Sequence, residues 1–75
     1  MRAFLHDNVK SINDCLSVHD VRIVEGKVRN IVIFDCVMPY SVKMSEKDLK
    51  QRLDELVKSY YPSFDIVVTI DRCFV

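Results

Sequence analysis

The residues that decide the fold are Val18 to Met38, VHDVRIVEGKVRNIVIFDCVM. Two β-rich runs flank Glu25-Gly26-Lys27, and Gly26 is the only glycine in the chain. Glycine takes positive φ without a Cβ penalty, so a short loop holding it is where the backbone is expected to reverse. The first run, Val18 to Glu25, alternates His19, Val21 and Ile23 with Val18, Asp20, Arg22 and Val24, as a strand requires. The second run, Val28 to Met38, is the most apolar part of the chain, which suits the middle of a sheet with a neighbour on each side. Strand alternation sorts Ile31, Ile33 and Val37 from Val32, Phe34, Cys36 and Met38. Both faces are apolar, yet helices on one side cover only one of them. The other is expected to meet a second protein surface rather than water.

Working outward, residues 2–13 read as an amphipathic helix. Leu5, Val9, Ile12 and Leu16 fall at helical spacing, with Phe4 beside them. No strong cap precedes this helix, an abrupt start that fits a fragment beginning at a domain boundary. Downstream of a loop from Pro39 to Met44, Ser45 caps a second helix, and Asp48 three residues on completes a capping-box-like pattern. Its buried stripe is Leu49, Leu53, Leu56, Val57 and Tyr60. Glu46 and Lys50, Asp48 and Arg52, and Asp54 and Lys58 are acid-before-base pairs four residues apart. Tyr61-Pro62-Ser63 ends the helix, because proline cannot continue the ladder. Phe64 to Phe74 then reads as a third strand. A helix between strands two and three is a crossover, so those strands run parallel, with a right-handed connection. The expectation is one α+β domain over residues 1–75, an open two-layer αββαβ arrangement of the metallochaperone or ferredoxin-like kind with a three-stranded mixed sheet.

Composition narrows the function. Apolar residues make up 49% of the chain, enough for a packed core. A domain this short buries only ~60% of its unfolded surface, so a partner subunit would help its stability. Eleven Lys and Arg balance eleven Asp and Glu. That balance removes the positive surplus of a nucleic-acid binder and argues equally against a polybasic membrane patch. No apolar run approaches the ~20 residues of a membrane span, and no signal-peptide core follows Met1. Three widely spaced cysteines, Cys15, Cys36 and Cys73, suit reduced thiols in the cytosol better than a disulfide framework.

An enzyme is not expected. The chain has no glycine-rich phosphate loop, which also sets aside an acylphosphatase-like activity, and it has no GxSxG turn. Of its two histidines, His6 on the first helix reads as structural. His19 differs, because strands one and three share one small sheet. Asp71 or Cys73 reaches the same region, from the same chain or a dimer mate. Imidazole, carboxylate and thiolate are the donor set that holds zinc and related divalent ions. The candidate metal residues are therefore His19, Asp71 and Cys73. A free-standing metallochaperone-like module is one way to use them.

Leu16-Ser17-Val18-His19-Asp20-Val21-Arg22 resembles the LGxHDLR-like start of the cytoplasmic C-terminal domain of cation diffusion facilitator transporters, which export divalent metals. IVIFDCVMP is similar to that domain's second strand, and DIVVTIDRCFV to its last, where a D-x-V-I-x-x-D pattern recurs. The resemblance covers nearly all of the chain. It implies a domain at the cytoplasmic face of the cell membrane, attached to its own transmembrane domain and paired as a V-shaped homodimer. A divalent ion, zinc first, would bias that dimer and the transport cycle. It also implies that His19 matches the first-strand histidine ligand and Asp71 the last-strand aspartate. Where several members carry further histidines, this chain has Phe34 and Thr69. The implied site is accordingly reduced, with Cys73 available to supplement it.

Overall fold

The most apolar run of the chain becomes the central strand. A computed structural model describes residues 1–73 as α1 (Arg2–Ile12), β1 (Ser17–Val24), β2 (Asn30–Pro39), α2 (Glu46–Tyr60) and β3 (Phe64–Cys73). β2 lies between the other two strands, antiparallel to β1 and parallel to β3. The short connection over residues 25–29 dictates the first relation and the α2 crossover the second. This is the expected open αββαβ fold with a three-stranded mixed sheet. Residue 74, included in the last strand by the sequence reading, lies outside the described residues.

Both helices cover one face of the sheet. Val32, Phe34, Cys36 and Met38 of β2 are buried there together with Leu5 and Val9 of α1 and Leu49, Leu53 and Val57 of α2. Burying side chains of this size is the main force holding so small a domain together, at roughly 1.5–3 kcal/mol for each large one. α1 stops at Ile12, and Asn13 is extended (φ −162°), so Leu16 reaches the core from the link rather than from the helix. In α2 the Ser45 hydroxyl accepts the backbone N–H of Asp48 at 3.1 Å, as the capping pattern predicts. Leu56 is only half-buried and Tyr60 is exposed, so the helix's buried stripe is narrower than the expected five residues. Of the three acid–base pairs foreseen on α2, Asp54–Lys58 closes, at 2.6 Å.

Two local expectations need correction. The first concerns β1, whose predicted simple alternation is interrupted by a bulge between His19 and Arg22. Asp20 sits in the bulge at φ 54°, a left-handed conformation that Asp tolerates better than most residues. The extra residue shifts the phase of the strand. Val18 and Val21 both enter the core while His19 is exposed, so His19 and Val21 do not share a face. The second concerns Gly26, which does not adopt positive φ. Glycine is needed there for room: a Cβ would run into the carbonyl oxygen of Arg29.

Candidate metal-binding face

The sheet face turned away from the helices is built from the positions between the core residues. Cross-strand register sets them in rows. One row runs Ser17, Val37, Asp71; the next runs His19, Asp35, Thr69; a third runs Arg22, Ile33, Val67. His19 and Asp35 are thus direct neighbours, with Cα atoms about 5 Å apart as opposed residues of an antiparallel pair are. The His19 Nε2 lies 3.3 Å from the Ser17 hydroxyl on the same face. Asp71 is two strands and two residues away from His19, a separation on the order of 12 Å from sheet geometry. Cys73 follows Asp71 on that face, opposite Pro39, and is half-buried.

The fold therefore brings the three sequence candidates onto one face without bringing them together. Among the described residues, no group of three His, Cys, Asp or Glu side chains is arranged to hold a metal ion. Asp35 is the residue that sequence reading missed. The resemblance drew attention to Phe34 as the second-strand position, but Phe34 is 1% exposed in the core and points away from His19. The signal that finds Asp35 was present in the strand alternation, which leaves it on the side of Ile33 and Val37.

The face is polar at its flanks and apolar in the middle. β1 supplies His19 and Arg22, and β3 supplies Asp65 and Asp71, with Ile31, Ile33 and Val37 on the strand between. Asp65 is engaged by the Arg29 guanidinium at 2.9 Å and by Lys58 at 3.4 Å. The Arg29 hydrogen bond holds the Asp65 carboxyl below its ordinary range. Of the thiols, Cys36 is buried in the core and Cys15 is exposed. Burial pushes the Cys36 thiol up to about 11, which disfavours the thiolate a metal would require.

These features define an open αββαβ domain with an uncovered sheet face bearing one imidazole and several carboxylates. The same fold occurs in two solved structures of CzrB, a candidate zinc transporter. Its zinc form matches with a TM-score of 0.75 and 19% identity, over 95% of this chain and 79% of that one. The other structure matches with a TM-score of 0.75 and 19% identity, over 96% of this chain and 87% of that one. At such identity the likeness establishes the fold alone. No family model matches the chain, and no curated protein matches it in sequence.

Proposed function

We propose that this chain is the cytoplasmic C-terminal domain of a cation diffusion facilitator exporter, a binding and dimerisation module rather than an enzyme. The observation that carries the reading is the uncovered sheet face, where His19 opposes Asp35 and Asp71 lies on the far strand. The described residues of one copy offer too few adjacent donors for a four-coordinate ion. A second copy related by a two-fold axis along β2 would lay β1 over the partner's β3. His19 and Arg22 would then approach an edge bearing Asp65 and Asp71, with the apolar middle strand closing on itself. Neutral imidazole and ionised carboxylate are the forms that bind a divalent cation, zinc first. An ion that prefers the closed pair shifts the population towards it by its differential affinity. Attached to a transmembrane domain at the cytoplasmic face of the cell membrane, that shift would sense cytosolic metal.

The test combines calorimetric titration of zinc, manganese and cadmium with sedimentation. The native chain is expected to bind metal and to sediment at twice the monomer mass at micromolar concentration, while His19→Ala and Asp71→Ala lose heat. Identical heats in all three proteins would remove the metal role, and a strict monomer at high concentration would remove the dimer. A free-standing metallochaperone on this fold would depend on accessible thiols. The burial of Cys36 leaves only Cys15 and Cys73 for that role, and thiol titration with and without metal separates the two readings.

A further inference from the structure

On the open face His19 stands between two neighbours from its own strand. Ser17 precedes it by two residues, and the bulge makes Arg22 the next residue after it, opposite Ile33 while His19 is opposite Asp35. The two neighbours offer an imidazole different things. A guanidinium has donors only, so Arg22 cannot accept from a ring N–H, and its charge opposes a cation on the ring. A serine hydroxyl both donates and accepts. The ring leans to the serine: Nε2 lies 3.3 Å from the Ser17 hydroxyl oxygen, along a strand whose alternate residues are about 7 Å apart.

That contact makes the two ring nitrogens unequal. With Nε2 turned along β1 to Ser17, Nδ1 is the nitrogen left for a cation. Nδ1 is also the one whose reach suits the residue across the ladder. It is as many bonds from its Cα as the carboxylate oxygens of Asp35 are from theirs, whereas Nε2 is one bond further out. On directly opposed residues, equal reach gives the two donors a similar height above the sheet.

We infer that Ser17 is a positioning residue for the divalent-cation site proposed above, its hydroxyl accepting from Nε2–H so that His19 ligates through Nδ1. The inference rests on that reading of His19. A ligating nitrogen gives its lone pair to the metal, so the proton of a neutral imidazole then sits on Nε2 and is donated to Ser17. A partner of this kind fixes both the tautomer and the orientation of the ring. The opposite assignment has Asp35 accept from Nδ1–H and Nε2 take the cation. It breaks the Ser17 contact and makes Asp35 an orienting group rather than a ligand.

The experiment is zinc titration of the 75-residue chain and its variants, followed by nitrogen-15 NMR of the zinc-loaded imidazole. His6→Gln leaves His19 as the only histidine and so assigns its signals. The zinc-loaded ring is expected to carry its proton on Nε2 and the metal on Nδ1. Ser17→Ala should weaken zinc binding about tenfold, and Ser17→Thr, which keeps the hydroxyl, should restore most of it, with circular dichroism confirming that both variants fold. A zinc-loaded ring with its proton on Nδ1 overturns the inference. So does a Ser17→Ala protein that binds zinc as the native does, or a Ser17→Thr protein as weak as Ser17→Ala. In each of these cases a loss of affinity in His19→Ala still upholds the site itself. Zinc affinity that His19→Ala leaves unchanged removes the site and the inference with it.

Discussion

His19 stands directly across the β1–β2 pair from Asp35, on the face the helices leave uncovered. A carboxylate beside an imidazole makes two adjacent donors available without any rearrangement of the backbone. If this pair is the first point of attachment for a divalent ion, Asp35→Ala should weaken zinc binding as much as His19→Ala does, by about tenfold or more. Phe34→Leu, a change on the opposite face, should leave it unchanged. Calorimetry on the three variants decides the matter; equal affinity in Asp35→Ala and native protein would take Asp35 out of the site.

The bulge beside His19 makes a separate prediction about backbone. Asp20 holds φ 54°, which a β-branched side chain tolerates poorly. Asp20→Val is expected to cost about 1–2 kcal/mol, whereas Asp20→Gly should be near neutral or mildly stabilising. At Gly26 the order reverses for a steric reason. Gly26→Ala drives a methyl group into the Arg29 carbonyl, so the turn must shift and the domain should lose stability. Urea denaturation curves compare all three. An Asp20→Val protein as stable as the native would show that the bulge is not held at this residue.

The limits of sequence reading are visible at Asp20 and Asp35. The order of elements was legible because Val32, Phe34, Cys36 and Met38 alternate cleanly and because Ser45 and Pro62 mark the ends of α2. The bulge was not, since an inserted residue keeps the composition of a strand while changing its phase. Asp20 has no local signature stronger than its tolerance of left-handed φ. From this came the error over which residues share a face with His19. Asp35 is hard to find for a related reason: alternation separates it from Phe34, but with both faces of β2 apolar the sequence does not say which one the helices cover.

A third prediction concerns acid. Asp65 accepts from Arg29 and Lys58, and these contacts hold its carboxyl below the ordinary value of 3.8. A carboxyl depressed in the folded state adds stability that is complete above the unfolded value and is lost as pH falls through the folded one. Native protein should therefore lose part of its melting temperature as the pH is lowered below about 4. Asp65→Asn should start lower at neutral pH and show a smaller loss over the same range. Because the pair is exposed, raised salt should shrink the difference between the two proteins. Parallel melting curves for native and Asp65→Asn across that window would mean the contact contributes nothing to folding.

The core thiol gives the last test, and it reads the packing directly. Cys36 is fully buried between Val18 and Ile70 in the register of the sheet, and burial is the main cause that lifts its thiol from 9.0 to about 11, with Lys10 opposing weakly. Alkylation proceeds through the thiolate, so both access and ionisation protect this residue at neutral pH. Iodoacetamide followed by mass spectrometry should modify Cys15 first, Cys73 more slowly, and Cys36 only at the rate at which the domain unfolds. The raised value also carries a stability consequence. A thiol that ionises more readily in the unfolded chain draws the equilibrium towards unfolding as pH rises from about 9 to about 11. Cys36→Ala removes that alkaline loss but leaves a cavity, so it should be less stable at pH 7 and show a flatter profile above pH 9. Rapid labelling of Cys36 in native protein at neutral pH would contradict the burial of β2's inner face, and with it the sorting of residues that puts His19 and Asp35 together outside.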